Sequence, residues 1–188
     1  AETADRTWCS YDKRGIVVER DYLDYHITKV LGLSEIKPSE IGKRDFRVVV
    51  DAVNSVGGIA IPRLLTNFGL RPENIVELHC DPTGLFAHPA EPLPENLTEI
   101  CERVRLEKAD LGIVVDPDAD RLALIADGGV YVSEELTQVL AAAFWWQYHS
   151  GPFVTNLSSS RAVELVAKSM GQKVFRSAVG EINVVEEM

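Results

Sequence analysis

The chain has 188 residues, 46% of them apolar, and a formal net charge of −10. That length allows one large domain or two small ones with a real core, and the acidic balance argues against a nucleic-acid partner, whose phosphates need clustered Lys and Arg. No run of about 18 apolar residues is present, so no membrane partner is expected; no basic-then-apolar leader is visible, and three cysteines without metal-ligand spacing (Cys9, Cys80, Cys101) point to reduced thiols and a cytoplasmic location, with Cys101 in a helix core.

Strands and helices alternate along the chain, which predicts an α/β fold with a mostly parallel sheet. Residues 1–11 read as a loose lead-in and 19–31 as a helix containing Tyr22, Tyr25, His26 and Lys29. A short buried strand at 47–50 ends at Asp51, and a turn of small residues follows at 54–58. Ile61, Leu64, Leu65 and Phe68 recur at helical spacing, with Pro62 placed near the helix start and Gly69 closing it. Residues 75–78 form the next strand, 81–94 a loop with four prolines, and the following helix buries Leu97, Ile100, Cys101 and Val104. A strand at 111–115 leads into an acidic loop and a strand at 122–126. Asp127-Gly128-Gly129 is a hairpin turn into Val130-Tyr131-Val132. The helix predicted over 133–148 turns Leu136, Val139, Leu140 and Ala143 inward. A second cycle then begins: strand 153–155, helix 159–170, strand 173–175 and a helix from 181. A boundary near Gly128–Ser133 divides residues 12–128 from 129–188, and the second unit is too short for a complete α/β layer, so it is expected to be truncated.

The acidic loop, Asp116-Pro117-Asp118-Ala119-Asp120-Arg121, is the most informative stretch. Carboxylate oxygens are the natural ligands of Mg²⁺, which takes a near-octahedral shell at roughly 2.0–2.1 Å. Bare aspartates this close repel one another, and a bound cation keeps all of them ionised. The charges of the three aspartates, one Mg²⁺ and Arg121 also cancel. The competing structural reading is a solvated turn started by Pro117; the triple alternation, the buried strand before it and Arg121 after it favour a metal site. Asp116, Asp118, Asp120 and Asp127 occupy the first, third, fifth and twelfth places of a calcium EF-hand loop, but the required glycine is replaced by Arg121 and both flanks read as strands. A phosphatase with Asp116 as nucleophile remains an alternative, as does a non-catalytic domain.

Four segments together resemble the α-D-phosphohexomutases, which interconvert phosphosugars. The acidic loop within residues 115–122 resembles their metal loop, and residues 48–54 with Gly57-Gly58 resemble the start of their second domain. The proline-rich residues 89–97 resemble a loop of that domain, and residues 179–184 a segment of the third. The likeness runs from about residue 15 to 188. It implies a mixed, mostly parallel α/β/α domain two at 12–128 and a partial domain three at 129–188. It also implies an intramolecular phosphotransferase acting on a hexose phosphate through an enzyme phosphoserine, with a lean towards glucosamine phosphate. Asp116, Asp118 and Asp120 would coordinate Mg²⁺, and Arg121 would contact the phosphoryl group. Domains one and four of the same chain, with the phosphoserine, would be missing, so the piece alone is expected to be inactive. Ser55 stands where many relatives carry Gly, and the 180–182 segment lacks the His or Lys some relatives use on substrate.

Other polar residues take structural readings. Ser158-Ser159-Ser160 reads as a helix cap, His79 and His88 as surface or core histidines, Trp145-Trp146 as packing between domains, Glu99 and Arg103 as a helix-face pair, and Asp51 as a turn-stabilising carboxylate.

Overall fold

The computed structural model describes residues 8–188, so most of the expected lead-in lies outside the described residues. Its centre is a five-stranded sheet in the order β2-β1-β3-β4-β5. The strands are β1 (Val48–Asp51), β2 (Ile75–Leu78), β3 (Leu111–Val115), β4 (Leu122–Ala126) and β5 (Val130–Val132). β1 runs parallel to both β2 and β3, whereas β4 and β5 are added antiparallel as hairpins. A second sheet holds β6 (Phe153–Asn156) and β7 (Val174–Ser177) in parallel. The sheets are thus mixed and mostly parallel, as the alternation and the resemblance predict. β5 belongs to the first sheet, so that sheet reaches Val132, beyond Gly128.

The valine run of β1 is buried on both faces because a strand sends alternate side chains to opposite sides. Val48 and Val50 meet Leu65 and Ile61 of α3 (Gly57–Asn67) and Phe68 just beyond its end. Val49 faces the other way, into Leu97, Ile100 and Val104 in and beside α4 (Thr98–Glu107). Helices therefore cover the two faces, with α1 (Leu23–Leu31) and the short α2 (Pro38–Lys43) on the α3 side. The sequence pattern does not announce α2, which is only six residues long.

Two helices differ from their predicted form. α3 begins at Gly57, so Pro62 lies inside it rather than near its start; the helix forgoes the bond that residue 62 would donate to Gly58. α5 (Glu134–Trp145) buries Val139 and Ala142, with Trp146 just beyond its end, while Leu136 and Leu140 are exposed. Trp146 belongs to the core of the second unit with Val163 and Ala167 of α6 (Ala162–Ser169), and its indole N–H donates to the Gly151 carbonyl at 3.0 Å. Trp145 stacks on His149. Trp146 therefore packs within the second unit rather than between domains, whereas Trp145 is half-exposed. The chain closes with α7 (Glu181–Glu187) against β7.

Candidate metal centre

The acidic loop joins β3 to β4 at the sheet edge where the parallel strands β1 and β3 end. Val115 pairs with Leu122, so the loop spans adjacent antiparallel strands. This excludes an EF-hand, which needs a helix on each side. Asp116 is buried, and its Oδ1 accepts the Arg121 backbone N–H at 3.1 Å. Its backbone carbonyl accepts the Ala119 N–H at 3.1 Å, and Ala119 adopts a left-handed backbone with φ of 59°. The loop is also tied to the turn after β1, where the Ser55 hydroxyl donates to the Pro117 carbonyl at 2.7 Å.

This folding brings one carboxylate oxygen from each of Asp116, Asp118 and Asp120 within 4.8 Å of the others. Octahedral Mg²⁺ sets its ligands roughly 2.9–4.2 Å apart. The donor set therefore fits: all ligand atoms are hard oxygens, one carboxylate is fixed by burial, and the exposed Asp118 and Asp120 have room to close in.

Arg121 is half-exposed, and its guanidinium lies 3.6 Å from Glu91 of the proline-rich loop. An exposed pair of this kind is weak, so the fork of donors can leave Glu91 for a more highly charged partner. Glu134, the first residue of α5, has its carboxyl pushed above the usual range by burial; Arg121 opposes the shift, and Asp116, Glu135 and Asp120 add to it. Glu134 is thus a further carboxylate within electrostatic reach of the acidic loop, outside the cluster of three, and sequence reading missed it. The strongest available signal was a Glu pair opening a helix close after the acidic loop.

The remaining candidates have distinct fates. The N-cap position of α6 is Arg161 rather than a serine, but the Ser160 hydroxyl one residue earlier accepts the Ala162 N–H at 3.2 Å. Arg103 pairs with Glu107 at 3.0 Å rather than with Glu99, which instead faces His79. Asp51 does brace its turn, accepting the Val53 N–H at 3.1 Å, but its other oxygen also meets both His79 and His88. Cys101 is half-buried against the core.

The profile of phosphoglucomutase/phosphomannomutase alpha/beta/alpha domain II matches residues 21–129, and that of domain III matches residues 133–188. The chain belongs to the phosphoglucomutase/phosphomannomutase family. A probable phosphoglucosamine mutase of Pyrococcus horikoshii is 33% identical over 147 residues, covering 78% of this chain and 32% of the relative. One of Thermococcus gammatolerans is 29% identical over 179 residues, covering 95% of this chain and 38% of the relative. The chain thus spans about a third of the length of the curated relatives it matches. Among solved structures, a phosphoglucomutase/phosphomannomutase family protein of Burkholderia thailandensis superposes with a TM-score of 0.75 at 24% identity, over 89% of this chain and 35% of that one. The phosphoglucomutase parafusin of Paramecium gives 0.64 at 21%, over 81% and 28%. These two likenesses establish the shared fold. Among the described residues, no helix is long and apolar enough to cross a membrane.

Proposed function

We propose that this chain is the cation-holding part of a phosphohexomutase, an intramolecular phosphotransferase that moves a phosphoryl group within a hexose phosphate. The observation that carries the reading is the convergence of Asp116, Asp118 and Asp120 at one sheet edge, in a chain of this family. In this reading the three carboxylates hold Mg²⁺, which when bound offsets the negative charge spread over the transferring phosphoryl group. Asp116, buried and bonded to the Arg121 N–H, sets the position of the loop, while Asp118 and Asp120 adjust to the ion. Arg121 exchanges its weak contact with Glu91 for phosphoryl oxygens, to which a guanidinium offers two parallel donors.

The phosphoserine and domains one and four are assigned to polypeptide outside these 188 residues, so the piece alone turns over no sugar phosphate. Glucosamine phosphate is the favoured substrate, supported by the names of the relatives from Pyrococcus and Thermococcus. The boundary between domains two and three is put at Ser133, where the first sheet has ended. A cytoplasmic location accords with the free thiols of Cys9, Cys80 and Cys101.

Asp118→Asn in a polypeptide carrying all four domains tests the assignment. Turnover at saturating sugar phosphate should fall roughly 10²-fold, the scale on which loss of one charge-stabilising group acts, with the fold intact by circular dichroism. Unchanged turnover, or an aspartyl-phosphate analogue trapped on Asp116 by fluoroberyllate, would contradict it.

A further inference from the structure

A second cluster of metal-ligating side chains lies outside the acidic loop. Asp51 ends β1, His79 directly follows β2, and His88 sits in the proline-rich loop. One ligand atom from each falls within 4.8 Å of the others. His79 Nδ1 is 3.3 Å and His88 Nε2 is 3.1 Å from the same oxygen, Oδ2 of Asp51. We propose that Asp51, His79 and His88 form a binding site for a divalent transition cation of the Zn²⁺ class, separate from the hard-cation site of the acidic loop.

Three features point there. The Asp51 side chain is 2% exposed, and those of His79 and His88 are 18% and 13% exposed. A carboxylate this deeply buried needs an opposite charge close by. The second feature is the orientation of the rings. His88 Nδ1 lies 2.8 Å from the Pro89 carbonyl, which can only accept, so Nδ1 carries the proton. In the neutral ring Nε2 then turns a lone pair, not a hydrogen, towards Asp51 Oδ2. Two things resolve that clash of lone pairs: a second ring proton, favoured by the bond to Asp51 that raises the His88 value, or a cation between the two atoms. His79 differs, because its far nitrogen, Nε2, lies 3.6 Å from a Glu99 oxygen, near enough for charge attraction but too far for a hydrogen bond, so His88 alone shows a bonded outer nitrogen. An imidazole whose outer N–H serves a backbone carbonyl or a carboxylate is the usual second layer of a metal site, because it fixes the tautomer and strengthens the inner nitrogen as a ligand. Third, ligand bonds of about 2.0–2.1 Å at tetrahedral angles separate the ligand atoms by about 3.3 Å, close to the two spacings found here.

The donor set separates the two centres by metal preference. Two imidazoles and one carboxylate suit Zn²⁺ and its neighbours in the first row, whereas three carboxylates suit Mg²⁺. Asp51, two neutral histidines, the cation and Glu99 sum to zero charge. Three protein ligands leave a fourth position for water. The centre would also brace the acidic loop. Asp51 Oδ1 holds the Val53 N–H, the His79 carbonyl accepts the Asn54 N–H at 2.6 Å, and Ser55 bonds Pro117. His79, Val53 and Asn54 all adopt left-handed backbones, with φ of 49°, 47° and 57°. Fixing Asp51 and His79 on one ion holds that unfavourable turn in place.

Titration of the chelator-stripped 188-residue chain with Co²⁺, followed by visible absorption, tests the site. One equivalent should give tetrahedral d–d bands that Zn²⁺ abolishes and excess Mg²⁺ leaves alone. The bands should survive Asp118→Asn and disappear in His88→Gln. Because that variant can lose its fold, imidazole ¹⁵N shifts of the unmutated chain supply a second reading. One equivalent of Zn²⁺ should move His79 Nδ1 and His88 Nε2, leaving the nitrogens of His26 and His149 in place. Unmoved nitrogens on His79 and His88, bands retained in a folded His88→Gln, or an intense thiolate charge-transfer band would each overturn the proposal; the first would mark an imidazolium–carboxylate pair without metal.

Discussion

A methyl group added at Gly58 would sit 2.2 Å from the Cys80 carbonyl oxygen, and one at Gly57 2.4 Å from Cγ2 of Val115. Neither neighbour has space to give, so these two residues let the start of α3 press on the sheet edge that carries Asp51 and Asp116. Gly58→Ala is expected to destabilise the chain by about 1–3 kcal/mol, the usual cost of overpacking, read from urea melts. Glu134 offers a test of opposite sign. Its raised folded value means that its stabilising contribution is present in full below the unfolded value, roughly pH 4.3, and is lost as pH rises through the folded value. Glu134→Gln should therefore be more stable than the parent at pH 7, with the gain fading as pH falls below about 4. A less stable variant at pH 7 would mean that the favourable charge at the start of α5 outweighs burial. The legibility of individual residues follows from chain separation. Asp116, Asp118 and Asp120 are sequence neighbours, so their convergence can be read directly. Asp51 meets His79 and His88 from 28 and 37 positions away, and only the folded sheet edge brings them together.

At the scale of elements, the strands of the first sheet were readable because their apolar runs are short and bounded by turns. Helical phase was harder. The segment around α5 is apolar on several sides, so a stripe through Leu136, Val139, Leu140 and Ala143 competes with the observed one through Val139, Ala142 and Trp146. Docking against α6 and the second sheet selects the latter. Alanine substitutions discriminate the two phases. Val139→Ala should cost about 1–3 kcal/mol through lost burial and a cavity, whereas Leu140→Ala, at an exposed site, should stay within about 0.5 kcal/mol. Equal losses at both positions would restore the other face. The Pro62 misplacement has a comparable cause: tertiary packing of α3 against Val48 and Val50 compensates for a missing backbone bond that propensity alone weighs heavily.

On the scale of the whole molecule, Glu35, buried beside α1, accepts a hydrogen bond from His149, just beyond α5. This contact ties the first unit to the second across 114 positions, beyond the reach of sequence pattern. The bond from His149 holds the Glu35 carboxyl below its usual range. A depressed folded value contributes stability that is present above the unfolded value, about 4.3, and is lost as pH falls through the folded value. Glu35→Gln should accordingly lower the melting temperature at pH 7, and its difference from the parent should shrink in acid. The central claim, that the acidic loop holds a hard divalent cation, is tested most directly by heteronuclear NMR of the 188-residue chain titrated with Mg²⁺. Saturable shifts centred on the amides of residues 116–121 and on Glu134, absent when Asp116, Asp118 and Asp120 are all Asn, are the predicted result. Shifts of the same size and pattern in the parent and in that triple variant would contradict it.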